Sequence, residues 1–456
     1  MFGINYIKLS IWSSIYYFQE EKSDIIFKII LKNIKECGCV AIKFTQWLLP
    51  KIEAIYDIDI QGEDYKWFND LEDIYENCNV HDIKYTEKIY KKSFGTPLFK
   101  DYEVLNVIAS GSMGQVYKIK DDNTIYAMKV LHPDVESDLL FIKTLVNIIY
   151  YIPYLGSLLR YYVPLDINDF IKDFRIQSNL INEANNCLAF YNIYKNNDII
   201  IIPTIYKVSK DIIIMSYEEG ESFDKCDLSD YNRYKAIALN KLFVKNNEYT
   251  HGLMHGDLHK GNWKIREEND LLKLIIYDFG FCWRLPDFLV DHIQFIDKSF
   301  IYPDKNIDDF IKSCWIFCEN KTSIENVKEW VMEIKNENKD MDYDDPILLL
   351  KLIIKSCRIG GYLINSFILQ SLIIHTQLCG NYEKYGVTAR KDENDDYYSR
   401  KIYDLINICD TYQICEGYSS LLKSECEKKE DLFESIENVN QFSKYPLLKK
   451  LALNES

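Results

Sequence analysis

Glycine and proline are scarce, 17 and 10 of 456 residues, too few for a collagenous, linker-rich or largely disordered chain. Basic residues are in deficit. The 54 Lys and Arg stand against 70 Asp and Glu, a net charge of −16, which argues against a general nucleic-acid binder. No C-x-x-C pair occurs, and the 13 cysteines, an odd number, follow no framework. Neither a disulfide scaffold nor a structural zinc site is expected. The thiols read as reduced, mostly buried, and at home in a reducing intracellular compartment. Long uninterrupted apolar runs are missing too. The strongest, Leu139–Leu159, is broken by Lys143, Asn147 and Pro153, a mixture that true spans rarely tolerate. The N-terminal stretch lacks a clear cleavage site and soon turns acidic, and no Arg-rich transit segment is present. Neither a signal peptide nor a transit peptide is read there.

What is present is the composition of a soluble globular protein, 47% hydrophobic and 27% charged. The length predicts two or three structural units. Residues 24–55 show apolar positions at helical spacing, and the polar, aromatic stretch at 61–95 is helical in part. From Tyr102 the period changes. YEVLNVIA, GQVYKIK and TIYAMKVL are short runs rich in β-branched residues, the last two joined across Asp121-Asp122-Asn123. Helical spacing returns at 135–195. IIIIPTIYKV and DIIIMSY, within 199–217, read as two more strands. Beyond Gly220 the chain reads as mainly helical apart from WKIRE and LKLIIYDFG, with an exposed loop at 388–400. The fold class predicted is α+β. A helical extension spans 1–95, a small β-rich unit with a helical insertion spans 96–220, and a large helical unit spans 221–456.

Four segments, in chain order, carry chemistry. ASGSMGQVY at Ala109–Tyr117 lies between two strands. Its small residues, with Gly114, let backbone N–H groups approach phosphate oxygens, although a ligand-free hairpin would read the same way. YAMKVL places Ala127 and Lys129 on one strand face. The small Ala leaves room for a flat ring, and Lys sets a charge near phosphates. INEANN carries Glu183 in a helical context. A lysine aimed at phosphates needs such a carboxylate to hold it. The fourth is the most specific: HGDLHKGNW at His255–Trp263, followed by IIYDFGF at Ile275–Phe281. Phosphoryl transfer needs a group to orient the acceptor and hard oxygen ligands for Mg²⁺. Asp257 suits the first task; Asn262 and Asp278 suit the second. A zinc reading of His251, His255 and His259 is weaker, because all three lie in one loop rather than on one helical face.

Together these segments resemble the UbiB-like (aarF-domain) atypical protein kinases. The family's alanine-rich loop ending S-I-G-Q-V is matched by A-S-G-S-M-G-Q-V, in which Gly111 departs from alanine. V-K-V-x-x-P is matched by Met128-Lys129-Val130-Leu131-His132-Pro133, and E-A-x-N by Glu183-Ala184-Asn185-Asn186. H-A-D-P-H-P-G-N is matched by His255-Gly256-Asp257-Leu258-His259-Lys260-Gly261-Asn262. D-F-G with R-L is matched by Asp278-Phe279-Gly280 and Arg284-Leu285. K-x-G-Q is matched in part by Lys43-Phe44-Thr45-Gln46, with Thr45 in place of glycine. The family's E-x-D pair before E-A-x-N has become Gln177 and Asn179.

The resemblance implies a two-lobed protein-kinase-like fold that uses ATP and Mg²⁺ as a kinase or ATPase. It implies that Ala109, Gly111, Ser112 and Gly114 cradle the nucleotide. Met215 would stand at the back of the pocket, with Ser216, Tyr217 and Glu218 as the hinge. Lys129 would hold the phosphates, steadied by Glu183, and Asp257 would orient the attacking hydroxyl or water. Asn262 and Asp278 would bind Mg²⁺. Lys43 and Gln46 would regulate access to the site, together with Gln177 and Asn179, where two carboxylates have become amides. The implied acceptor is a lipid-related small molecule or a protein, in a setting of isoprenoid-lipid metabolism, with room for peripheral membrane association. Two rival readings share some of these residues. One is a small-molecule kinase of the aminoglycoside or choline type, toward which Gly256 leans. The other is a nucleotide-dependent scaffold without transfer.

Overall fold

The computed structural model describes residues 2–19, 23–56, 78, 80–152, 156–157, 167–196, 199–223, 251–268, 271–284 and 322–337. It also describes short pieces at 236–237, 239–240, 243–244, 247, 308, 311–312 and 314–315, and residues 370 and 374. The loop expected at 388–400, and Leu285 of the R-L pair, lie outside the described residues. The chain divides into two compact units. The first comprises residues 1–189 and 203–218, so the N-terminal helices share a unit with the sheet. The second comprises residues 190–202 and 219–456.

In the first unit, α1 (Phe2–Phe18) precedes α2 (Asp24–Cys37) and α3 (Cys39–Tyr56). The buried face of α2 carries Ile30, Leu31, Ile34 and Cys37 at helical spacing. Gly38 ends it with φ +89°, a conformation that favours glycine, and α3 starts at once. α4 (Ile83–Phe94) has legible ends. Asp82 caps it by accepting the Lys84 N–H at 3.0 Å, and left-handed Gly95 closes it onto the Lys91 carbonyl. A short α5 (Leu98–Asp101) leads into the sheet.

The sheet has five antiparallel strands in the order β1 (Glu103–Ser110), β2 (Gly114–Asp121), β3 (Thr124–Leu131), β6 (Ile212–Ser216) and β5 (Ile205–Val208). Asp122, at φ +49°, turns β2 into β3, a role that Asp tolerates better than most residues. Strand alternation sorts the two faces. Tyr117, Ile119, Met128, Val130, Ile212 and Ile214 join Tyr90 of α4 and Leu98 of α5 in one core. Ala127, Lys129, Ile213 and Met215 alternate with these core positions and fall on the opposite face. The pairs Ala127–Met215 and Lys129–Ile213 are cross-strand neighbours there. Both faces are buried at the centre of the sheet: Ile213, Ala127 and Lys129 are enclosed, as are the core side chains opposite them.

After β3 come α6 (Val135–Tyr151), α7 (Ile167–Gln177) and α8 (Leu180–Tyr194). The apolar run at 139–159 supplies much of α6, and no described helix is long and apolar enough to cross a membrane.

One strand expectation needs correction. IIIIPTIYKV is two strands, not one. Pro203 has no N–H for a ladder, and the chain changes sheet there. Ile200–Ile201 (β4) pairs in parallel with β9 (Leu271–Ile276) of the second unit, and Ile205–Val208 (β5) joins the first.

The second unit's three-stranded sheet has the order β4, β9, β8 (Trp263–Glu268). A separate pair joins β7 (Leu253–His255) to β10 (Cys282–Arg284), two short strands that the sequence pattern did not separate from the helical background. The last described helix is α9 (Ile324–Glu337). Five of the six described cysteines are buried.

Two glycines of the loop between β1 and β2 differ physically. A Cβ on Gly114 would lie 2.6 Å from the Val130 carbonyl oxygen, whereas one on Gly111 meets nothing within 4 Å. Gly114→Ala is expected to lower unfolding free energy by about 1–3 kcal/mol, an overpacking cost. Gly111→Ala should stay within about 0.5 kcal/mol of the parent. Urea unfolding of both variants checks the contrast.

Candidate active site

In the first unit the ammonium of Lys129 donates to both carboxylate oxygens of Glu183, each at 2.9 Å. The two side chains are 7% and 4% exposed, so the pair is removed from water. Glu183 is not the solvated surface charge that an isolated Glu on a helix would be. Its placement is built by the start of α8. Asn179 accepts the Ile181 N–H at 3.2 Å, and the Leu180 N–H donates to Lys210 O at 3.0 Å in the turn between β5 and β6. Further along, the Cys187 thiol reaches Pro203 O at 3.3 Å. The helix that carries Glu183 is therefore tied at its start and at its middle, on either side of Glu183. It also places a carboxylate in its first turn, where the peptide dipoles favour negative charge.

The loop following β1 is held through its carbonyls. Cys78 N–H donates to Ser110 O at 2.8 Å, His132 Nε2 bonds Gly111 O at 2.9 Å, and His132 N–H donates to Met113 O at 3.1 Å. Gly111 N–H closes the loop onto Gly114 O at 3.1 Å. Ala109 lies exposed on β1, and Ser112 is buried. Met215 and Tyr217 are half-buried, and the Lys118 ammonium sits 4.1 Å above the Tyr217 ring. Ser216, between them, receives the Thr204 N–H at 3.0 Å on its hydroxyl and donates to Glu218 at 2.9 Å.

Lys43 and Gln46 occupy α3 one turn apart. Lys43 is buried and close enough to Cys78 to oppose the burial that pushes that thiol up to about 11. Cys78 is the residue whose N–H holds Ser110. The amide oxygen of Gln46 is buried without a hydrogen-bond partner among the described residues. Thr45, where the resemblance has glycine, turns its hydroxyl back to Ala41 O at 2.9 Å within the helix. Gln177 is buried at the end of α7 and Asn179 is the cap just described. Asn179 thus has a local structural task that the sequence comparison did not reveal.

In the second unit, Asp257, Asn262 and Asp278 are assembled around one residue, Tyr277. The Tyr277 N–H donates to Asn262 O at 2.8 Å, and its carbonyl accepts from His255 Nε2 at 3.0 Å. A carbonyl can only accept, so His255 carries its proton on Nε2. Its Nδ1 receives the Asp257 N–H at 3.4 Å. Burial holds His255 below the ordinary histidine pKa, which keeps this neutral tautomer. Asn262 Nδ2 donates to Asp257 O at 2.7 Å, leaving its amide oxygen as the end it can offer a cation. His259 accepts the Gly261 N–H at 3.1 Å and shapes the turn at Lys260–Asn262. The histidines of this loop are therefore structural clamps. No group of three His, Cys, Asp or Glu that could hold a metal occurs among the described residues.

Asp278 has φ +53°, uncommon for a residue with a side chain and characteristic of functional sites. Its Oδ1 accepts the Gly280 N–H at 3.3 Å. Phe279 is buried against Phe190 and His255, with ring centroids 5.2 and 5.3 Å away, and this packing supports the strained backbone. An aspartate and the oxygen-presenting end of an asparagine are hard donors of the kind Mg²⁺ takes, usually with waters and phosphate oxygens completing its shell.

Sequence reading missed His81, Gln115, His132 and Trp283. His132 lies in a quoted motif at a position the pattern leaves open. Trp283 had a signal in Gly256. A Cβ there would lie 1.8 Å from the Trp283 ring, so the glycine makes room for the indole.

Breaking a buried ion pair from one side leaves an uncompensated charge, a loss of about 3–5 kcal/mol. Glu183→Ala is expected to destabilise the protein by that order. The paired variant Lys129→Met with Glu183→Leu should recover most of it. Denaturant unfolding of the three proteins tests this.

The profile of the ABC1 atypical kinase-like domain matches residues 73–306, just over half of the chain. A curated relative from Providencia stuartii, named "Probable protein kinase UbiB", is 23% identical over 324 residues. That match covers 63% of this chain and 56% of the relative, so the chain spans little more than half of that protein's length. Among solved structures, a Mycobacterium tuberculosis protein in complex with erythromycin matches with a TM-score of 0.41 and 18% identity. The match covers 73% of this chain and 89% of that one. With the motifs, the buried lysine–glutamate pair and the clamped aspartate in place, the chain belongs to the ABC1 atypical kinase-like domain family.

Proposed function

We propose that this protein binds ATP with Mg²⁺ and acts as an atypical kinase or ATPase. The observation that carries the reading is the buried Lys129–Glu183 pair, with two 2.9 Å bonds. Keeping a lysine and a glutamate out of water is costly, and a hydrophobic pair of similar volume would serve stability as well or better. The arrangement makes sense where the ammonium must stand ready for phosphate oxygens.

In this reading Lys129 contacts the phosphates and Glu183 fixes its direction. The loop of Gly111, Ser112 and Gly114 lies along the same phosphates and offers them the Ser112 backbone N–H, while the Gly111 N–H closes the loop onto Gly114 O; Ala109 and Met215 border the nucleotide. Ser216, Tyr217 and Glu218 provide the hinge. Asn262 and Asp278 would hold Mg²⁺, which supplies neutralisation of charge developing on the phosphates. Asp257 orients the attacking hydroxyl or water. The acceptor is a lipid-related small molecule or a protein side chain, as the family resemblance implies. The segment bearing Lys43 and Gln46 has a regulatory role, as the family resemblance implies.

The small-molecule kinase reading leaned on Gly256. The 1.8 Å clash of a Cβ with Trp283 gives that glycine a packing reason of its own. It no longer favours that class.

Ligands that bind only the folded state raise its stability by mass action. The parent should show a thermal shift with Mg–ATP, and Asp278→Asn should abolish it. Asn tolerates the left-handed backbone, so the substitution removes charge with little strain. A retained shift in the variant would contradict the metal assignment. Single-turnover assays with labelled ATP then separate transfer from hydrolysis and from binding alone.

A further inference from the structure

A chain of hydrogen bonds runs through the first unit and ends on the loop that precedes β2. Gln115 starts it. Its Oε1 accepts the His81 N–H at 2.8 Å, so its Nε2 is the donor to Tyr117 Oη at 2.7 Å. At the other end, Gly111 O can only accept, so His132 Nε2 carries the proton of their 2.9 Å bond. Each link between is then fixed. The His132 Nδ1 accepts from His81 Nδ1 at 3.0 Å, and His81 Nε2 accepts from the Thr86 hydroxyl at 2.9 Å. Thr86 in turn accepts from the Tyr117 hydroxyl at 2.7 Å. Every donor meets an acceptor only while both imidazoles are neutral. Burial lowers the pKa of both rings, and His132 helps bring His81 down to about 4.

The end of this chain has a geometric consequence. In a trans peptide the C=O and the following N–H point in opposite directions. Drawing the Gly111 carbonyl onto His132 therefore turns the Ser112 N–H away from it. The neighbouring carbonyls of Ser110 and Met113 are bound as well, by Cys78 and by the His132 backbone. The carbonyl that depends on a side chain is that of Gly111.

We propose that His132 is a positioning residue for the phosphate loop, locked by His81 in the tautomer that holds the Gly111 carbonyl and so presents the Ser112 N–H to phosphate. This rests on the nucleotide-binding reading above. His81 lies in the segment before the sheet, so that segment sets loop geometry through two imidazoles rather than by touching the nucleotide.

The test is the Kd for Mg–ATP of the full chain and three variants, measured by calorimetry at neutral pH. His132→Leu removes the donor and should weaken binding about tenfold, or about 1.4 kcal/mol. His132→Gln restores an Nε2–H donor at comparable reach and should stay within about threefold of the parent. His81→Phe keeps a ring against Tyr85 but releases the tautomer, and should weaken binding by an intermediate factor. Equal Kd values in all four proteins, or equal losses in His132→Leu and His132→Gln, would overturn the proposal. If His132→Leu does not fold, His81→Phe decides, and an unchanged Kd there overturns it. Failure of the parent itself to bind Mg–ATP would instead refute the nucleotide reading.

Discussion

The candidate site depends first on the ion pair of Lys129 and Glu183. Two charges held below a tenth of their exposed area are a liability unless each satisfies the other. Here the lysine meets both carboxylate oxygens. The rest of the first unit can be read as the means of keeping them together. Strand alternation turns Lys129 away from the core of Tyr117, Ile119, Met128 and Val130. The Asn179 cap and the bond from Leu180 to Lys210 fix where α8 begins, and therefore where Glu183 stands.

The two units solve their positioning problems in the same way. In each, a buried neutral histidine donates through Nε2 to a backbone carbonyl, His132 to Gly111 and His255 to Tyr277. An imidazole is suited to this because one nitrogen can donate while the other accepts. Burial keeps both rings neutral. Their folded-state pKa values are depressed, so the stability they contribute is fully present above the unfolded histidine value of about 6.5. It is lost as pH falls through their folded values. In both units a neutral histidine shapes the backbone next to charged candidate-site residues.

Much of this was legible in the sequence. The strands around Lys129 follow from alternation, and the turn at Asp122 from its Asp-Asp-Asn chemistry. The pairing of Lys129 with Glu183 follows from the chemistry of their two segments, and Asp257 and Asn262 meet within one loop motif. What escaped was of two kinds. Pro203 sends two halves of one apolar run to different sheets, a tertiary choice that local periodicity does not encode. His81 and His132 act as a pair although 51 residues separate them, and single residues at such distance carry no pattern. Gly256 was visible, but its meaning depended on Trp283, 27 positions away (283 minus 256).

The central claim is that the protein binds a Mg–nucleotide and that the buried Lys129–Glu183 pair exists for it. Titration calorimetry of the folded protein with ATP, in the presence of Mg²⁺, addresses it most directly. The account predicts saturable binding at or below millimolar nucleotide, lost when Mg²⁺ is chelated or Lys129 is replaced by Met. Absence of measurable binding to well-folded protein at millimolar ATP would contradict it.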